Sequence, residues 1–301
     1  VLKFYGDDSG EPTDPNDGVV AVGGFIGSAA QWRVFEAEWK RMLVEHGVPY
    51  VHMREFDQFV GPFERFEKDK KATIALLSAM ASAIIDCQLI GYGAVVLLAE
   101  LERFHAKYPE EGKFDPHSLC LYVACGHVTD RVQIREPWQV IMDRVPDVHR
   151  KLADADSLLD TDIHLREVLA KNGYLRPSFT SISRDGPGAR EIPALQAADF
   201  YAWEMHRSLH LKLPWLLNVK PLVRPQTPMA FNLSLLAYQA RAKKIRKVKI
   251  KDRWPVVERR SYARLMETRT TDYSIVDLDQ LEIMRAYRNG LPLPAKSDAQ
   301  R

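Results

Sequence analysis

Val1-Leu2-Lys3-Phe4-Tyr5-Gly6-Asp7-Asp8-Ser9-Gly10 opens the chain, and after a Gly/Asp/Pro/Asn-rich stretch comes Val19-Val20-Ala21-Val22-Gly23-Gly24-Phe25-Ile26. Two short apolar runs separated by turn formers read as an antiparallel strand pair. The first strand is expected over Val1–Tyr5, so the connecting loop starts at the two aspartates. Carboxylates leaving a rigid strand into a glycine turn suit the capture of a hard divalent cation.

Outward from that pair, strand and helix patterns alternate. Ser28 is a good N-cap for a helix that carries Trp32, Phe35, Trp39 and Leu43 at three- and four-residue spacing and stops at Gly47. Pro49–Met53 reads as a short strand or an extended segment. Helical periodicity runs over Glu67–Asp86, Pro116–Val132, Ser157–Lys171 and Leu195–His206. Strand patterns cover Gln88–Leu98, Trp138–Met142 and Pro177–Ser183, which predicts an α/β sheet covered by helices. Pro193 fits the first turn of the late helix, where its missing N–H costs nothing. Beyond His210 four prolines in Pro214–Pro228 mark an irregular connection, followed by a basic helical arm through Arg264 and a last helix near Asp279–Tyr287. The expected organisation is an α/β domain over residues 1–210 and a basic, mainly helical C-terminal extension over 211–301.

At 301 residues and 46% hydrophobic, the chain can bury a full core. Its apolar stretches, such as Gly93–Ala99, fall well short of the roughly 18 residues needed to span a membrane. The chain opens on a strand pattern rather than a basic and then apolar leader, so secretion is not expected. Cys87, Cys120 and Cys125 are odd in number and lack C-x-x-C spacing, which argues against a disulfide framework or zinc ribbon and for a reducing, cytoplasmic setting. Cys120 and Cys125 read as core residues. Net charge is only +2, but residues 209–301 hold 19 Lys/Arg against 8 Asp/Glu, leaving 23 against 32 in the first 208. An acidic body joined to a basic tail is the layout expected of a protein that holds metal ions and grips a polyanion, or of a tail that docks on its own body.

In-line attack on a phosphodiester needs a nucleophilic water at neutral pH and a clamp on the leaving oxygen, and two cations about 4 Å apart supply both. The carboxylates at strand ends are Asp7 or Asp8 after the first strand and Asp143 after Trp138–Met142, with Asp199 on the late helix. Asp199 stands among Leu195, Ala197, Ala198, Phe200 and Ala202, where an unpaired charge is costly.

Tyr5-Gly6-Asp7-Asp8-Ser9-Gly10 resembles the tyrosine–x–aspartate–glutamate–serine–glycine signature of the domain of unknown function 3800 family. Gln196-Ala197-Ala198-Asp199 resembles its glutamine–x–x–aspartate motif, and Val51-His52-Met53-Arg54-Glu55-Phe56 its short histidine motif. The resemblance spans Val1 to about His210. It implies a ribonuclease H-like mixed sheet flanked by helices and metal-dependent phosphodiester cleavage with Mg²⁺ or Mn²⁺. Carried over residue by residue, it makes Asp7 and Asp199 metal ligands, Asp8 a ligand or a supporting group, and Asp143 a third ligand. Gln196, one helical turn before Asp199, would orient a ligand or phosphate. His52 would shuttle protons, with Glu55 the remaining polar candidate. Two departures stand out: Asp8 replaces the usual glutamate, and a helix follows the second strand directly.

Competing readings rest on other residues. Asp8-Ser9-Gly10 fits an aspartic-protease triplet, but the chain holds no second copy. His206 and His210 share a helix face at a spacing zinc enzymes use, without the following glutamate of His-Glu-x-x-His. The stronger rival is a non-catalytic nucleic-acid- or partner-binding protein using the basic arm. Seven positive charges fall in the eleven residues 241–251, among them Lys243, Lys244, Arg246, Lys247, Lys249 and Lys251, and Arg259 and Arg260 extend the stretch. Trp254 and Tyr262 lie nearby for stacking. In the nuclease reading nucleic acid, DNA or RNA, is the expected partner; the binding reading takes nucleic acid or another partner.

Overall fold

The computed structural model describes residues 1–14, 17–143, 147–182, 189–210, 271–289 and 291. Strand β1 (Leu2–Ser9) pairs antiparallel with β2 (Val19–Ser28), from Leu2↔Ser28 to Ser9↔Ala21. The strand therefore runs through both aspartates instead of ending at Tyr5. Asp7 sits opposite Gly23 and Asp8 opposite Val22, so the long hairpin keeps in the ladder what the turn-forming composition assigned to a loop. Gly10, at φ +98°, ends the strand, and a Cβ there would come within 2.5 Å of the Val19 carbonyl oxygen.

Ser28 opens α1 (Ala29–Glu45) with a capping box: its Oγ accepts the Gln31 N–H, and Gln31 Oε1 accepts the Ser28 N–H. Trp32, Phe35, Trp39, Met42 and Leu43 form the buried stripe of this helix. Each such side chain stabilises the fold by roughly 1.5–3 kcal/mol through burial. The Pro49–Met53 stretch forms no strand; it leads into the short helix α2 (Met53–Gln58). A 3₁₀ turn at Gly61–Glu67 and helix α3 (Lys70–Asp86), capped by Asp69, return the chain to strand β3 (Ile90–Leu97). Next come α4 (Leu98–Lys107), α5 (Pro116–Val132) and β4 (Trp138–Met142).

The single helix expected over Ser157–Lys171 is two, α6 (Val148–Thr161) and α7 (Ile163–Asn172). Asp162 divides them because its carboxylate accepts the Leu165 N–H at the start of α7 and the Tyr122 hydroxyl. Strand β5 (Pro177–Ser181) and helix α8 (Pro193–His210) follow.

The sheet has six strands in the order β5-β4-β1-β2-β3-β6, where β6 is Thr271–Val276. The β1-β2-β3 portion is antiparallel; β4 and β5 run parallel to β1, and β6 runs parallel to β3. This is the mixed α/β sheet flanked by helices that the sequence predicts. Strand β6 and helix α9 (Leu278–Asn289) lie beyond residue 210 yet join this sheet and its helices. Glu111 fastens α9 through Arg285 Nε at 2.8 Å and Arg288 Nη2 at 2.9 Å.

Alternation along the strands separates two cores. Phe25, Ala21 and Val95 face α1, α3 and α8, whereas Phe4, Val20, Val22 and Ala94 face α5, α6 and α9. Helix α8 lies close on the first face because glycines line it there. A Cβ at Gly23 would come within 2.2 Å of Met205 Cε, and one at Gly93 within 2.5 Å of the same atom. Cys87, Cys120 and Cys125 are buried free thiols. Among the described residues no helix is long and apolar enough to cross a membrane.

Candidate functional site

Because β1 continues through the aspartates, period-two alternation throws them to opposite faces. Asp7 shares the face of Tyr5 and α8. Asp8 shares the face of Phe4 and the α5–α6 layer.

On the Asp7 face three carboxylates approach one another. The parallel register of β1 and β4 ends at Gly6↔Met142, so the next step along both strands sets Asp143 beside Asp7. Asp199 arrives from α8, which packs across β1 and β2. The carboxylate of Asp7 accepts the N–H of Asp8 at 2.9 Å. Asp199 Oδ2 accepts the N–H of Met53, first residue of α2, at 2.7 Å. Asp7, Asp143 and Asp199 are each partly buried. Burial foremost, and then the negative charges of Asp199, Asp8 and Asp143, push Asp7 well above the ordinary carboxylate range. Burial likewise lifts Asp199 to about 6, with Asp143 and Asp8 adding to the rise and the Met53 N–H and His52 opposing it. Asp7 thus senses the charge of Asp199 and of Asp143, just past β4, and Asp199 that of Asp143. Among the described residues no group of three or more His, Cys, Asp or Glu side chains is already arranged to hold a metal ion.

Asp8 has different company. Lys151 Nζ from α6 lies 3.1 Å from Asp8 Oδ2, and His117 Nε2 from α5 lies 3.0 Å from the same oxygen. His117 Nε2 is also 3.3 Å from the Gly10 carbonyl oxygen, so a proton there is shared by the side chain and the strand end. Burial holds the His117 imidazole below its usual range despite Asp8, which leaves Lys151 as the cation that balances Asp8. Neither partner stands out in sequence, since an isolated His and Lys carry no spacing signal.

Gln196 is committed to the scaffold. Its Oε1 accepts from Trp39 Nε1 and from the Val51 N–H, both at 2.9 Å, and its Nε2 donates to the Arg190 carbonyl at 2.8 Å. It is 2% exposed, so the phosphate contact expected of it has no room; what it orients is the backbone ahead of α2. Val51 and Met53 are strapped to α8 by Gln196 and Asp199, one helical turn apart.

His52 is the residue before α2, and its Nδ1 lies 3.3 Å from Glu55 Oε1 without hydrogen-bond alignment. Glu55 is itself held by the Tyr50 hydroxyl at 2.8 Å and by Arg190, whose guanidinium lies 4.9 Å from the Tyr50 ring centroid. Tyr50 and Arg190 went unnoticed in sequence because they are remote from each other along the chain. His206 is engaged with Asp17 at 2.6 Å, and the His210 side chain lies outside the described residues. Lys243, Lys244, Arg246, Lys247, Lys249, Lys251, Arg259 and Arg260 also lie outside them. Neither a protein-family model nor a curated protein matches the chain.

Proposed function

We propose that the chain is a ribonuclease H-like, divalent-metal-dependent nuclease that hydrolyses phosphodiester bonds at Asp7, Asp143 and Asp199. The observation that carries this reading is the meeting of these three carboxylates, from β1, β4 and α8, on one face at the end of the central strand. The position of β1 inside the sheet, between antiparallel β2 and parallel β4, is compatible with it, while the helices α1 to α3 between β2 and β3 remain a departure from the family pattern.

Oxygen-only donors suit Mg²⁺ or Mn²⁺. The donor set is also chemically matched, because burial foremost, and then the neighbouring negative charges, raise Asp7 and Asp199, and a bound divalent ion would offset both. Asp7, Asp143 and Asp199 would hold it, although among the described residues they do not form a ready-made metal site. Such an ion supplies Lewis-acid activation of water and neutralises charge on the scissile phosphate. The protein's own groups prepare the site. The Asp8 N–H fixes one oxygen of Asp7 and the Met53 N–H one oxygen of Asp199, which leaves the other oxygens for a ligand. His52, beside Glu55, would move a proton at the same locus. The basic excess over residues 209–301 would bind phosphates by counterion release.

Mn²⁺ calorimetry on the wild type, Asp7→Asn and Asp199→Asn, beside hydrolysis assays on single- and double-stranded DNA and RNA, tests the reading. Wild-type binding that both substitutions abolish, with metal-dependent cleavage, is the expected result. A wild type that binds no Mn²⁺ with nucleic acid present would leave the basic segment and a binding role instead.

A further inference from the structure

The ion pair on the other face of β1 touches no candidate ligand directly, yet it grips the peptide that orients one. Asp8 N–H holds Asp7 Oδ1 at 2.9 Å, while Asp8 Oδ2 is held by Lys151 at 3.1 Å and His117 at 3.0 Å. His117 reaches the Gly10 carbonyl as well, so residues 8 and 10 are both fastened from the α5–α6 layer. The three side chains of this clamp are 8–17% exposed, too enclosed for a solvated surface pair.

Lys151 is also poorly placed for its own helix. It is the fourth residue of α6, near an N-terminus where a cation opposes the helix dipole. Arg150 beside it pairs with Asp147 and Asp154 at the surface, whereas Lys151 turns inward to Asp8. A lysine at that position is offset by the inward carboxylate.

We infer that Lys151 and His117 are positioning residues for the carboxylate centre: from the opposite face of the sheet they fix the Asp8 peptide, and through its N–H they set the orientation of Asp7. This inference rests on the metal reading of Asp7, Asp143 and Asp199, and it assigns Asp8 to the support of that site instead of its ligand set. A purely electrostatic role for Lys151 has the opposite sign. Removing a cation near the acids would strengthen Mn²⁺ binding, whereas loosening the Asp7 carboxylate weakens it.

The experiment is Mn²⁺ titration calorimetry on the full chain as wild type, Lys151→Met, Lys151→Arg, and Asp8→Asn with and without Lys151→Met, with thermal unfolding of each. Loss of a supporting partner around a metal ligand typically costs 10–100-fold in affinity. Lys151→Met is expected to weaken Mn²⁺ binding about 10-fold or more, and Lys151→Arg to recover most of that loss. Adding Lys151→Met to Asp8→Asn should change affinity little further, because the lysine acts through Asp8. If Lys151→Met does not fold, His117→Gln carries the same expectation. Affinity that is unchanged or increased in a folded variant overturns the clamp while leaving the metal reading standing. A wild type that binds no Mn²⁺ overturns the metal reading and the clamp with it.

Discussion

Asp7 and Asp8 are neighbours in the chain and opposites in the fold. Asp8 meets a lysine and a histidine on the α5–α6 face, whereas Asp7 meets two more acids on the α8 face. The first arrangement balances charge and holds structure together. The second gathers partly buried acids whose ionisation their neighbours oppose, which costs stability and is a perturbation common at functional sites. One peptide bond therefore separates a stabilising carboxylate from a functional candidate.

The contrast is broken most directly at the ligand end. Asp7→Asn and Asp199→Asn should each weaken Mn²⁺ binding by more than about 100-fold, beyond the range of supporting partners. Equal affinity in calorimetry would mean that the acidic face is not a metal site.

The same substitution sharpens the comparison in stability. Asp199 is raised from an ordinary carboxylate value of 3.8 to about 6 in the folded state, so the native protein binds that proton more tightly than the unfolded chain. Its contribution is therefore present below pH ~4 and lost as pH rises through about 6. Asp199→Asn keeps an acceptor for the Met53 N–H and removes the charge. It should raise stability at pH 7–8 in the absence of metal by about 1–3 kcal/mol in urea unfolding, and flatten the wild-type decline between pH 4 and 6.

Gly23, opposite Asp7, tests whether the approach of α8 makes the acidic face. Gly23→Ala places a methyl within 2.2 Å of Met205 Cε, the flexible tip of its side chain, and 2.9 Å from the Tyr201 ring, and pushing that ring and α8 outward should cost about 1–3 kcal/mol. Mn²⁺ affinity should fall in parallel because α8 carries Asp199. On the balanced face, Asp8→Ala strands the partly buried Lys151 ammonium and should cost about 1–2 kcal/mol in urea unfolding. A gain in stability there would mean that the two faces do not differ in kind.

Much of the architecture was legible along the chain. Pro116–Val132 and Trp138–Met142 form a helix and a strand with the bounds their patterns predict, and Ser28 caps α1 as its position suggests. These segments have strong periodicity and clear end signals. Other segments carried weaker signals. Thr271–Val276 is short and partly polar, and becomes a strand through its register with Gly91–Val96. Asp162 interrupts an otherwise continuous helical pattern because its side chain finds partners that no spacing rule reveals.

For the site, residue type and order determined the candidates. Acids at the ends of apolar runs, and Asp199 amid alanines, are conspicuous because charge in an apolar context is costly. Which of them meet was decided by the tertiary structure. Pairing with β2 carried β1 past Tyr5 and so sent Asp7 and Asp8 to opposite faces. The parallel register with β4 set Asp143 beside Asp7, and glycines under α8 let Asp199 come near. Gln196 likewise looked like a ligand's neighbour in sequence and is a scaffold amide in the fold, since hydrogen-bond partners 145 and 157 residues away are brought to it only when the layers pack. Sequence fixes which side chains carry charge; strand register and helix packing fix which charges share a space.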